Sequence, residues 1–186
     1  MLYWGRRSHS GIACLLACLS AFANAAVAQT GDEVAEYNIK AAFLYKFATY
    51  VEWPPEAFPS ETSPLVFGVM GADLLADQLE DIVRGRRIGG RVLRVRRIDE
   101  DDTLDGLHVL FVGEERVIRA ERQLYDAASR SVLTVTEGNG HDGYGVINFL
   151  IIEDRVKFTI ALPPAERGRL RVSSRLLQVA HEIARE

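Results

Sequence analysis

The sequence predicts one α/β domain: a three-layer α/β/α sandwich around a mixed, mostly parallel sheet that ends in a C-terminal antiparallel hairpin. Three observations predict it. Between Leu65 and Thr136, short apolar runs rich in β-branched residues alternate with helical patterns, the order that builds a parallel sheet covered on both faces. Gly145 to Ile152 and Arg155 to Leu162 are adjacent strand runs joined only by Glu153-Asp154, which leaves room for nothing but a tight hairpin. The chain has 186 residues, 48% hydrophobic and 26% charged, the size and composition of one ordinary globular domain.

The first 28 residues read as a secretory signal peptide, and residues 29–186 as the domain. Arg6 and Arg7 give a positive start, Gly11 to Ala23 is an uncharged apolar run, and Ala26-Val27-Ala28 fits the small-x-small cleavage pattern. The apolar run is shorter than the roughly 20 residues a transmembrane helix needs. Leu15-Leu16-Ala17-Cys18 loosely resembles a lipoprotein cleavage box, so lipidation of Cys18 is the minor alternative. Cleavage after Ala28 would remove Arg6 and Arg7 from 22 basic residues; 20 against 26 acidic residues leaves −6. That balance, with export, argues against non-specific nucleic-acid binding. Cys14 and Cys18 would leave too, so the working domain is expected to have neither a disulfide nor a thiol.

Asp32 to Trp53 is the first expected helix, with Asp32 as N-cap and Pro54-Pro55 stopping it. Tyr37, Ala41, Leu44, Ala48 and Val51 form one apolar stripe. Ile39, Phe43, Phe47 and Tyr50 form a second, rotated by about 120° at 100° per residue. One stripe can face a sheet; the other needs a further cover. Leu65 to Met70 is a buried-strand run closed by Gly71, followed by a helix from Leu74 to Val83 capped by Asp73. Arg91 to Ile98 and Leu107 to Val112 are the next strands. Glu114 to Ser129 is a helix opening on two acids, and Ser131 to Thr136 a strand. After the hairpin, Pro163 to Gly168 is a polar or single helical turn. Leu170-Arg171-Val172 leads to Ser173-Ser174, an N-cap pair for a last helix from Arg175 to Ala184.

Together these elements resemble the YfiR family of periplasmic regulators, from about Tyr37 to the end. Three stretches carry the resemblance: Lys40-Ala41-Ala42-Phe43-Leu44-Tyr45-Lys46-Phe47 continuing to Val51-Glu52-Trp53-Pro54; Gly145-Val146-Ile147-Asn148-Phe149 with Val156-Lys157-Phe158-Thr159-Ile160; and Leu170-Arg171-Val172-Ser173-Ser174-Arg175-Leu176-Leu177. The resemblance implies a non-enzymatic inhibitor, without cofactor or metal. It would bind the periplasmic domain of a membrane diguanylate cyclase, or of another sensor such as a histidine kinase, and restrain its output, with homodimerisation as a competing association. Family members commonly carry disulfides. Where many place a cysteine before the third core strand this chain has Leu107-His108, so redox control is not expected here.

The aromatic residues Phe43, Phe47, Tyr50 and Trp53 are the expected partner-binding or dimer surface, because large rigid side chains anchor interfaces. The competing reading makes both stripes core. Seven arginines, Arg84, Arg86, Arg87, Arg91, Arg94, Arg96 and Arg97, precede Asp99-Glu100-Asp101-Asp102, and a solvated edge neutralised by that acidic run explains them better than an anion clamp. Gly68-Val69-Met70-Gly71 is a tight strand-to-helix turn without the dinucleotide fingerprint. Glu137 to Gly143 is a glycine-rich loop, and its His141-Asp142 fits turn formation better than metal binding. Ser173 and Ser174 cap; no nucleophile elbow or acid/base carboxylate pair is present, so a hydrolase is disfavoured. The alternative function is a periplasmic small-ligand binding protein using the crevice at the carboxyl ends of the strands.

Overall fold

The computed structural model describes residues 31–138 and 145–185. Residues 1–28, read above as a signal peptide with Cys18 within them, and the His141-Asp142 pair lie outside that description. Residues 31–50 are helical (α1), so Asp32 sits inside the helix and not at its cap. From Tyr37 onward the chain forms the α/β sandwich expected.

An eight-stranded sheet has the order β10-β8-β7-β6-β5-β2-β4-β3. These are β2 Leu65–Met70, β3 Arg87–Ile88, β4 Arg91–Arg97, β5 Val109–Val112, β6 Leu133–Glu137, β7 Ile147–Ile152, β8 Arg155–Ala161 and β10 Glu182–Ala184; β1 Val51–Glu52 and β9 Arg171–Val172 form a separate antiparallel pair. The five strands β4-β2-β5-β6-β7 are parallel neighbours. The chain steps outward from β2 to β4, then returns to the other side of β2 for β5, so the topological switch lies between β2 and β5. The hairpin β7–β8 is antiparallel, with Glu153 and Asp154 both at positive φ, as a twist-matched two-residue turn requires.

Strand alternation splits the core in two. Leu65, Phe67, Val69, Val109, Phe111, Leu133 and Val135 point toward α1 and α2 (Asp73–Val83), whose Ala41, Leu44, Leu75 and Leu79 are fully buried there. Val66, Met70, Leu110 and Val112 point the other way, toward α3 (Glu114–Val117) and α4 (Glu121–Ser129). This is the period-2 rule for a sheet with two covered faces, and it explains why these strands read as unbroken apolar runs.

Several expected boundaries move, each for a local reason. The first helix ends at residue 50, because Val51 and Glu52 pair with Val172 and Arg171 as β1 and β9. Asp73 opens α2 as its first residue without capping it; its carboxylate lies 3.6 Å from Arg97. The helix expected over 114–129 is two, α3 and α4, separated by residues 118–120. Pro163 and Pro164 lie within α5 (Leu162–Arg167), where proline is favoured at a helix start. The last helix is the largest correction. It is one turn, α6 Ser174–Leu177, with Ser173 Oγ accepting from Arg175 N–H. The chain then turns into β10, which pairs parallel to β8 through Glu182, Ile183 and Ala184, so β8 is not the edge of the sheet. Leu176 and Ile183 would share one face of a continuous helix over 175–184, but they lie in two different elements, α6 and β10.

The arginine-rich stretch spreads over an edge, as expected, but its neutralising acids are different. Arg97 bonds Glu80 at 2.5 Å and also Asp77, both on α2, whereas Glu100 from the acidic run bonds Arg116. Exposed pairs of this kind contribute little each. Val92 and Arg87 sit opposite one another in the small β3–β4 hairpin, turned by Gly89-Gly90 at positive φ.

Glycine closes both strands at the switch point because the backbones approach there. Gly71 has φ +70°, and a Cβ on Gly113 would lie 2.6 Å from the Gly71 carbonyl oxygen. Backbone cannot swing aside as a side-chain end can. Gly113→Ala is therefore expected to cost about 1–3 kcal/mol, read as a lower denaturant midpoint with an unchanged slope.

Candidate partner-binding surface

The three sequence stretches singled out above meet around α1. The inner stripe of α1 supplies Ala41, Leu44 and Ala48, all fully buried. The β7–β8 hairpin supplies Phe149 and Phe158, a directly opposed cross-strand pair. The third stretch supplies β9 and Ser173, whose N–H donates to the Tyr50 carbonyl at 2.9 Å. The end of α1 is thus held by the hairpin on one side and β9 on another.

The four aromatic residues expected at an interface have different fates. Phe47 is completely buried: its ring lies 4.9 Å from that of Phe158 at 66° and 5.5 Å from that of Phe149, favourable tilted geometries. It belongs to the core. Phe43 is half-buried, its ring 5.6 Å from Phe158 and 5.8 Å from Phe47. Tyr50 and Trp53 are half-buried too. Ile39, one turn before Phe43, is 48% exposed. The second stripe is therefore divided: Phe47 packs on the sheet, while Ile39, Phe43, Tyr50 and Trp53 keep apolar surface open to solvent. Trp53 is also pinned, its Nε1–H donating to the His108 carbonyl at 3.2 Å.

Two features were not legible in the sequence. The first is a buried ion pair. Lys40 Nζ lies 2.5 Å from Glu137 Oε2, both side chains only 6% exposed. Tyr37 donates its hydroxyl to Glu137 Oε1 at 3.4 Å, and the Glu114 N–H donates to the same oxygen at 3.3 Å. Glu137 was expected in a glycine-rich loop; it is the last residue of β6, beside the switch-point glycines. The second is His108, 2% exposed, just before β5. Its Nδ1 accepts the Val66 N–H at 3.2 Å, which leaves Nε2 to donate to the Ala57 carbonyl, also at 3.2 Å. Burial foremost, with the nearby charge of Arg91, pushes its pKa down to about 4, against the opposing pull of the Ala57 and Gly106 carbonyls.

A buried polar ladder lines the opposite face of the hairpin. Thr136 Oγ1 donates to Asn148 Oδ1 at 2.9 Å, Asn148 Nδ2 donates to the Gly138 carbonyl at 3.1 Å, and Thr134 Oγ1 accepts the Val146 N–H at 3.0 Å. Beside it lies a cavity of about 80 Å³ lined in part by Asn148, Thr159 and Glu182. A metabolite site is typically about 300–1,000 Å³, so this cavity gives no support to the small-ligand alternative. At the switch point itself the Arg116 side chain packs over Gly71 and bonds Glu100. Among the described residues, no group of three or more His, Cys, Asp or Glu side chains could hold a metal, and no helix is long and apolar enough to cross a membrane.

A five-strand parallel core in this order, extended by a hairpin and carrying a half-buried aromatic helix end, defines a small α/β scaffold that leaves apolar side chains partly exposed at that helix end. Within that class the chain belongs to the YfiR/HmsC-like family, whose model matches residues 37–181. No curated protein matches the chain.

Proposed function

We propose that this chain is a periplasmic, non-enzymatic regulatory protein that inhibits a membrane-bound diguanylate cyclase, or a similarly built histidine kinase, by binding its periplasmic domain. The match to the YfiR/HmsC-like family over nearly the whole domain carries this reading. The open part of the α1 stripe supports it with a surface of suitable chemistry. Phe43 is backed by the rings of Phe47, Phe149 and Phe158, Tyr50 packs against the same apolar cluster, and Trp53 is tied to the His108 carbonyl, so these aromatic side chains lose little freedom on docking.

Inhibition then requires only preferential binding to the inactive conformation of the sensor. Driving an equilibrium from mostly active to mostly inactive takes about 5.5 kcal/mol of differential affinity, which two or three interface anchors can supply. A second copy of the chain using the same stripe would compete with the sensor and set the free inhibitor concentration.

Deleting the gene is expected to raise cellular cyclic di-GMP, measured by mass spectrometry of extracts, and re-expression to lower it. An unchanged level in the deletion strain, with no cyclase or kinase captured by the tagged protein, would overturn the reading. Tyr50→Ala truncates the side chain while leaving the carbonyl that accepts from Ser173. It is expected to weaken sensor binding by about thirtyfold, the equivalent of 2 kcal/mol at an interface anchor, measured by titration calorimetry.

A further inference from the structure

We propose that His108 is a proton-sensitive latch: as a neutral ring it clamps the segment between α1 and β2 against the sheet, and acidification releases that segment together with the Trp53 end of the docking surface. The partner-binding consequence rests on the function proposed above; the latch itself does not.

The geometry fixes one protonation state. The ring accepts a backbone N–H from β2 at Nδ1 and donates to a backbone carbonyl of the 3-10 turn Pro55–Ala57 at Nε2, so it bridges the sheet and the segment only as the neutral tautomer. A proton added at Nδ1 would point at the Val66 N–H, setting donor against donor. The segment is stacked on the same ring. Phe58 lies 4.2 Å from His108 at 17°, and the guanidinium of Arg91, on β4, lies 3.7 Å from the Phe58 centroid and donates to the carbonyls of Ser60 and Ser63. Trp53 completes the attachment through the His108 carbonyl. Residues 53–63 are therefore fastened at Trp53, Glu56, Ala57, Phe58, Ser60 and Ser63; the His108 ring holds Ala57 and Phe58 at the middle of the segment, and the His108 backbone carbonyl holds Trp53 at its start.

Among the described residues, no carboxylate is bonded to the ring to stabilise an imidazolium. From β4 the ring meets the positive Arg91, and β2 presents only the uncharged Leu65 and Val66. Glu56, on the turn, is bonded to Arg169, and Asp105, in the loop before β5, is bonded to Arg130. The Ala57 and Gly106 carbonyls favour the charged ring, but burial outweighs them. A ring that titrates near 4 when latched and near 6.5 when released favours the released state by about twentyfold more at pH 5 than at pH 7.

Hydrogen exchange by mass spectrometry on the purified chain, corrected for the intrinsic pH dependence, tests this without any partner. Exchange across residues 55–66 is expected to speed up about twentyfold from pH 7 to pH 5 relative to α2. His108→Gln, whose amide can replace both hydrogen bonds but cannot be protonated, is expected to abolish that rise. Equal relative exchange at both pH values in the unaltered chain, or the same rise in the glutamine variant, overturns the latch. Should the variant not fold, the ring titration by NMR in the unaltered chain decides. A His108 titration well below 6.5, coincident with loss of segment protection, supports the latch; titration near 6.5 with the segment still protected overturns it.

Discussion

Lys40→Met is expected to destabilise the domain by about 3–5 kcal/mol, the cost of leaving one charge of a buried pair without its partner. Glu137 would keep the Tyr37 hydroxyl and the Glu114 N–H but lose its cation in a site only 6% exposed. The double variant Lys40→Met, Glu137→Leu is expected to recover much of the loss, because two apolar groups replace two desolvated charges. Recovery should be incomplete, since the Glu114 N–H at the start of α3 also loses its acceptor. Urea unfolding of the four proteins gives the coupling energy directly as a double-mutant cycle. A single-variant loss below 1 kcal/mol would show that the pair is solvated and that α1 is held by its apolar face alone.

The architecture was largely legible because parallel strands buried on both faces leave a plain signal. Leu65–Met70 and Val109–Val112 are unbroken apolar runs closed by glycine, and each feeds a helix. The hairpin was legible for a different reason: Glu153-Asp154 allows no other connection. The C-terminus misled because residues 175–184 satisfy a helical period by coincidence. Leu176 packs into the core from a single turn, while Ile183 enters a three-residue edge strand whose stability comes from β8, a partner distant in sequence. Short edge strands carry almost no local signal, since their hydrogen bonds are supplied by the neighbour.

The site was legible in part. The second aromatic stripe on α1 could be read from spacing, but not which of its members the hairpin would cover. Period alone cannot tell that β7 and β8 bring Phe149 and Phe158 onto Phe47 and leave Tyr50 at a margin. Lys40 and Glu137 lie 97 residues apart, and nothing in either neighbourhood marks a buried charge. His108 gave a weak cue, a lone polar residue within the apolar run Leu107 to Val112. Its meaning depends on two backbone groups and one ring from two other places in the chain, β2 and the turn at Ala57-Phe58.

Phe47→Ala is expected to cost about 3–5 kcal/mol, the range for emptying a fully buried phenylalanine site. The loss should be near the upper end. Phe47 is completely buried and its neighbours are rings, Phe43, Phe149 and Phe158, on elements fixed by helical and ladder hydrogen bonds, so the cavity cannot easily collapse. The readout is a drop in the denaturant midpoint without a change in slope. Its value lies in the contrast with Tyr50→Ala on the same helix. If the stripe is divided as the burial indicates, Phe47→Ala lowers stability while its folded fraction binds the sensor within a few-fold of normal. Tyr50→Ala should do the reverse, losing about thirtyfold in binding with a stability change near 1 kcal/mol. Equal losses of binding in both variants, at matched stability, would mean that the stripe opens on docking and that Phe47 leaves the core to join the interface.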